Sequence, residues 1–315
     1  MSATRKLRLG TRASALATTQ SSMIAGLVRD RLGLTAELFE ITTEGDVNSA
    51  SLATIGGTGV FVGALRKALL DGRIDLAVHS LKDLPTDPAA GLTTAAVPTR
   101  EDPRDVVVAR DGLTLGGLPS GSTVGTGSPR RASQLHALGL GLQVEEIRGN
   151  VDSRIGKVRS GRYDAVVLAR AGLARLGRLG DATEVLDPLQ MLPAPGQGAL
   201  AIECRIDDLA LAADLAALED SRSRAAVDAE RAVLATLEGG CSAPIGALAE
   251  VVEGDDGDEL WLRAIALSHD GALSVRMSAS GHPADATGVG TRLAGEMLAG
   301  GAAELTAAPV KRRDA

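Results

Sequence analysis

Aromatic side chains are nearly absent from this sequence, with two Phe, one Tyr and one Trp in 315 residues. A core without them must be built from Ala, Val, Leu and Ile. A surface without them cannot stack nucleobases on ring faces. Cysteine is as scarce: Cys204 and Cys241 are too few for a disulfide framework. There is no basic surplus, since the formal net charge is −7, and that excludes the basic face that broad nucleic-acid binding needs. No charge-free run of about 18 apolar residues occurs, so no membrane-spanning helix is expected. The opening MSATRKLRLG lacks the apolar stretch of a secretory signal, so the expected compartment is the cytosol with reduced thiols. Four His and two Cys show no zinc-ligand spacing. No phosphate-binding G-x-x-x-x-G-K-[ST] exists, and Gly57-Thr58-Gly59 with Gly63 misses the dinucleotide spacing.

What is present is an alternation of strands and helices. Lys6–Gly10 reads as a strand, Ala15–Leu32 as an amphipathic helix stopped by Gly33, and 38–42 as a strand. A helix over 61–70 and a buried strand over 74–79 follow, then Ser80-Leu81-Lys82-Asp83-Leu84-Pro85. Such alternation predicts βαβ units around a mostly parallel sheet. A second run of the same kind spans 122–169, and Pro-bearing segments at 97–104 and 192–198 bracket it. Two crossovers around one α/β lobe predict a lobe inserted into another through paired hinge strands. After Asp220 the pattern becomes helix, hairpin around Asp270-Gly271, and helix. The expected division is 1–99 with 199–219 as a first lobe, 100–198 as a second, and 220–315 as a small α+β domain.

Arginine dominates the basic residues, because only Lys6, Lys67, Lys82, Lys157 and Lys311 are lysines among 33. A planar guanidinium recognises carboxylate or phosphate better than an ammonium does. Several of these arginines fall at strand-to-helix junctions. Leu9-Gly10-Thr11-Arg12-Ala13-Ser14 and Val124-Gly125-Thr126-Gly127-Ser128-Pro129-Arg130-Arg131 repeat one logic of strand end, small polar turn, Arg and helix start. Helix N-termini favour anions, and in open α/β sheets these turns lie where ligands bind. Arg148 and Arg154 stand at a third such junction. No Asp or Glu lies within three residues of Arg12, Arg130 or Arg131, which points to an anionic ligand instead of surface ion pairs. Simple capping remains the competing account of each turn.

Cys241 lies in Gly239-Gly240-Cys241-Ser242-Ala243-Pro244, a loop where a thiol serves as nucleophile, attachment point or inert side chain. Cys204 lies in an apolar run and reads as a small buried hydrophobe. Asp83, leaving a buried strand, is either a turn cap or a carboxylate poised for acid–base work. His79 reads as packed.

Seven stretches together resemble the porphobilinogen deaminase family over nearly the whole chain: LGTRASALATTQ (9–20), AVHSLKDLP (77–85), REDPRDV (100–106), VGTGSPRRASQL (124–135), IRGNVDSR (147–154), LPAPGQGALAIECR (192–205) and LEGGCSAPIG (237–246). The resemblance implies two lobes like a type 2 periplasmic binding protein, with a cleft between them and a third domain carrying the cysteine. It implies a dipyrromethane cofactor held on Cys241 by a thioether and Asp83 as the catalytic carboxylate. Ser80, Lys82, Thr126, Ser128, Arg130, Arg131 and Arg148 match cofactor-binding positions. Arg12, Ser14, Gln20, Arg154, Arg175 and Gln197 match substrate-binding positions. The implied reaction joins four porphobilinogen molecules head to tail, with loss of ammonia, to give hydroxymethylbilane. A monomer is expected, with porphobilinogen and the growing pyrrole chain as its partners and neither nucleic acid nor membrane. Thr54 and Thr58 depart from lysines frequent in relatives, and Glu44 and Gly127 also depart, so the 56–63 loop is expected to act as a lid or linker without carboxylate contacts. The alternative reading is a two-lobed anion-binding protein without catalysis. It leaves Gly-Gly-Cys241 unexplained.

Overall fold

The computed structural model describes residues 6–41, 59–237, 243–255 and 257–306. In the first lobe, strand β1 (Lys6–Thr11) buries Leu7 and Leu9 and leads into helix α1 (Ala15–Leu32). Ser14 caps α1, its hydroxyl accepting from the Ala17 N–H, and Gly33 closes it in the left-handed region. Strand β2 (Thr35–Glu40), helix α2 (Gly59–Leu70), strand β3 (Leu76–Ser80) and strand β4 (Leu92–Ala96) follow. The second lobe holds β5 (Asp105–Ala109), β6 (Thr123–Gly125), α3 (Pro129–Ala137), β7 (Gln143–Glu145), α4 (Val151–Arg159), β8 (Ala165–Ala169), α5 (Arg170–Arg175) and β9 (Glu184–Val185). The chain then returns to the first sheet as β10 (Leu200–Arg205), followed by α6 (Leu209–Ala216).

The two sheets have one topology. Their orders are β2-β1-β3-β10-β4 and β7-β6-β8-β5-β9. In each, four strands share one direction and the strand in fourth place runs antiparallel to both of its neighbours. That fourth strand is supplied across the hinge. β5 follows the first lobe's β4 but pairs in the second sheet, and β10 follows the second lobe's β9 but pairs in the first. The paired crossovers inferred from proline placement are therefore the connections that lead into β5 and β10. Each lobe has its own aliphatic core, around Leu9, Ile24, Leu76 and Ile202 in one and Val107, Val124, Leu135 and Val167 in the other.

A third unit contains α7 (Ser221–Thr236), β11 (Ile245–Gly254), β12 (Gly257–Leu267), β13 (Ser274–Gly281), α8 (Ala286–Ala299) and α9 (Ala302–Thr306). Its antiparallel sheet β11-β12-β13 buries an Ala, Val and Leu face beneath α7 and α8. The hairpin around Asp270-Gly271 joins β12 to β13 as read from sequence. The sequence pattern does not mark β4, β5, β9 or β11, because β9 is two residues long and the other three lack a clean apolar–polar alternation. Of the 56–63 loop, residues 59–63 belong to α2 and 56–58 lie outside the described residues. Glu44, Thr54 and the Lys311–Ala315 tail also lie outside them.

Candidate active site

The turns that follow β3 and β6 meet through Gln197, which bonds both Lys82 and Arg131, and the carboxyl ends of strands are where open α/β sheets hold ligands. β3 is buried along most of its length and ends at Ser80, whose hydroxyl accepts from Gln20 Nε2 at 3.1 Å. A tight turn, Leu81–Asp83, follows. Leu81 and Leu84 are buried, which leaves Lys82 and Asp83 as the half-buried polar pair of the turn. Lys82 Nζ donates to Gln197 Oε1 at 3.3 Å. Burial, and next the repulsion of Arg131, pull the Lys82 pKa down to about 8, while Asp83 and Asp105 oppose the shift.

The second lobe answers from β6 and α3. Thr126 Oγ1 accepts from the Ser128 N–H at 3.2 Å, and Ser128 caps α3 with Pro129 in the first position. Arg130 donates to Leu192 O at 2.5 Å and to Asp105 at 2.8 Å. Arg131 donates to Asp105 at 2.7 Å, to Val167 O at 3.1 Å and to Gln197 Oε1 at 3.4 Å. Gln197, from the second crossover, donates to Asp105 Oδ1 at 2.8 Å and to Pro103 O at 2.6 Å. Gln197 thus joins Lys82 of one lobe, Arg131 and Asp105 of the other, and both crossovers. Asp105 is fully buried; burial alone would raise its pKa, but Arg130 and Arg131 outweigh that and hold it far below the usual carboxylate range.

This corrects one expectation. The lack of acidic sequence neighbours around Arg130 and Arg131 did not mean a lack of acidic partners, because Asp105 bridges both from β5. One carboxylate facing two guanidinium groups still leaves net positive charge. The Nε–H groups of Arg130, Arg131 and Arg175 are buried and make no hydrogen bond among the described residues. A ligand bearing several carboxylates fits those donors.

The other predicted residues surround this hub. Arg12 and Ser14 stand where β1 passes into α1. Arg154 lies near enough to Arg131 to feel its charge; burial first, and then that repulsion, lower its pKa. Its Nε donates to Gly149 O at 2.8 Å. Arg175 donates to Gly198 O at 2.6 Å, and burial lowers its pKa against the pull of Glu101. Arg148 is exposed and pairs with Glu146. Cys241 lies outside the described residues. Cys204 is buried in the first core, where burial pushes its thiol up to about 11, and His79 is packed 3.1 Å from Glu203. Both agree with the readings of them as interior residues. Among the described residues no cluster of His, Cys, Asp or Glu is arranged to hold a metal ion, and no helix is long and apolar enough to cross a membrane.

Two family models match: porphobilinogen deaminase, dipyromethane cofactor binding domain, over residues 7–213, and porphobilinogen deaminase, C-terminal domain, over 225–299. The chain belongs to the porphobilinogen deaminase family. Porphobilinogen deaminases of Mycobacterium avium and Mycobacterium tuberculosis are each 57% identical to it over 307 residues, covering 95% of this chain and 96% and 98% of theirs. Among solved structures, the chain is similar to the Bordetella pertussis BvgS VFT2 domain at 17% identity and TM-score 0.42, covering 68% of this chain and 86% of that one. It is also similar to a periplasmic substrate-binding protein from Coxiella burnetii at 15% identity and TM-score 0.43, covering 67% and 91%. The activity is that of a porphobilinogen deaminase, its substrate is porphobilinogen and its cofactor is dipyrromethane.

Two parts of the site carried weak sequence signals. Asp105 follows the first crossover in REDPRDV, but nothing local marks it as the partner of two distant arginines. Arg100 pairs with Glu230 at 2.7 Å and donates to Gln197 O at 2.8 Å, so it ties the hinge to α7. Only three-dimensional proximity shows that link.

Proposed function

We propose that this porphobilinogen deaminase works as a hydroxymethylbilane synthase, with Cys241 as the thioether anchor and Asp83 as the catalytic carboxylate. The cluster of Lys82, Gln197, Asp105, Arg130 and Arg131 carries this reading, because it sets a net cationic floor beside one aspartate at the lobe junction. Dipyrromethane, when held on Cys241, supplies the nucleophilic pyrrole carbon for chain growth. Ser80, Lys82, Thr126, Ser128, Arg130, Arg131 and Arg148 bind its carboxylates. Arg12, Ser14, Gln20, Arg154, Arg175 and Gln197 bind and orient the acetate and propionate groups of the incoming porphobilinogen. Asp83 offsets the positive charge that develops on that substrate as ammonia leaves, and it accepts the proton lost when two rings join. A fixed carboxylate in a half-buried site does this better than water, which must reorganise around the charge.

The proposed division of the chain is 1–99 with 199–219, 100–198 and 220–315, and the proposed state is a cytoplasmic monomer that binds neither nucleic acid nor membrane. The test is the intact mass of the purified protein together with product analysis. The expected result is a dipyrromethane adduct that disappears in Cys241→Ser, and porphyrin absorbance after porphobilinogen is supplied and the product oxidised. A bare chain that never acquires the adduct would remove Cys241 from its role.

A further inference from the structure

We infer that Arg231 is a positioning residue for Asp83, acting from the third domain on the turn that carries the carboxylate. The inference rests on the assignment of Asp83 above. Arg231 lies on α7, and its guanidinium reaches three carbonyls that flank Asp83: Nη1 donates to Leu84 O at 3.0 Å and to Leu81 O at 3.4 Å, and Nη2 donates to Pro85 O at 2.6 Å. The turn's own backbone hydrogen bond runs from Leu84 N–H to Leu81 O at 3.1 Å, and the Arg231 contacts add to it from outside. A planar fork with several fixed donors suits three carbonyls spread along a bend; a single ammonium does not.

The surroundings reinforce the grip. Val227, one helical turn before Arg231, packs with Leu81 and Leu84 in a buried apolar cluster. The Leu81 N–H donates to Ala199 O at 3.0 Å. Glu230, adjacent to Arg231, accepts from the Gly196 N–H at 2.6 Å and from Arg100. Consecutive residues of α7 therefore hold the second crossover and the Asp83 turn. In the sequence, Cys241 comes five residues after the end of α7. The helix that leads to the anchor cysteine is thus the helix that fixes the catalytic turn, and Arg231 is the bond between them.

A displaced catalytic group loses rate and not substrate affinity, so the test separates the two in the full-length, cofactor-loaded enzyme. Arg231→Gln is expected to keep the Cys241 adduct by intact mass and lower kcat by about 10- to 100-fold, with KM changed by less than about threefold. Arg231→Lys should recover part of the loss. The decisive measurement is a double-mutant cycle with Asp83→Glu. If Arg231 acts through Asp83, adding Arg231→Gln to Asp83→Glu slows the enzyme less than about threefold further. Defects that multiply in full, or a lowered melting temperature with kcat per folded molecule unchanged, would overturn the inference. Should Arg231→Gln not fold, the same cycle is run with Arg231→Lys. An unsubstituted chain with no adduct and no bilane product would overturn the assignment of Asp83 and Cys241 along with it.

Discussion

Asp83 and Lys82 are neighbours on one turn, yet their charges call for different tests. Asp83→Asn removes the negative charge with little change of shape. We expect it to retain the adduct and to lose turnover by at least about a hundredfold, as steady-state assays of loaded protein will show. Near wild-type turnover would take Asp83 out of the chemistry. Lys82 responds to pH. Its pKa is about 8 folded against 10.5 in the free side chain, so between those values the unfolded chain binds more protons and stability rises with pH. Ligand capture moves the other way, because the cation that attracts carboxylate disappears above about 8. Cofactor loading of the apoprotein should therefore slow as pH passes through about 8, and Lys82→Arg should remove that limb. If the limb persists in Lys82→Arg, another group titrates there.

At the scale of elements, the junctions β1–α1 and β6–α3 were legible in the sequence, because capping is local. Ser14 and Ser128 each precede a helical run, and Pro129 can only begin one. Short strands such as β9 were not legible, since two residues carry no periodicity. The two crossovers pack closely against each other, with the Glu101 N–H donating to Gly198 O at 3.3 Å. Gly198 has φ +89°, and a Cβ there would lie 2.3 Å from Glu101 O on the other crossover. Gly198→Ala is expected to cost about 2 kcal/mol or more, through both the left-handed backbone and the overlap. Calorimetric melting checks this, and a wild-type melting temperature would mean that the crossovers are free to separate.

For the whole molecule, the third domain is held to the hinge by charge buried at its centre. Arg100 and Glu230 are almost completely buried, and Glu230 also accepts from the Ala249 and Gly196 N–H groups. Removing one partner leaves the other charge buried and unpaired, which typically costs about 3–5 kcal/mol. Glu230→Gln or Arg100→Gln should therefore lower the melting temperature by on the order of 10 °C. An unchanged melting curve would show that this pair does not couple the domains.

The sequence by itself determined the alternation of strands and helices in the two lobes, though not every strand, together with the aliphatic character of the cores, the paired crossovers and the family signature with Asp83 and Cys241 in it. These depend on neighbours close along the chain, where capping, periodicity and proline geometry act. Only the tertiary structure decided which charges meet. Asp105 and Arg131 are 26 residues apart, Gln197 and Asp105 are 92, and Arg231 and Leu84 are 147. Those partnerships follow from β5 and β10 exchanging between sheets and from α7 packing against the hinge. No local pattern encodes a contact made by the path of the chain through space.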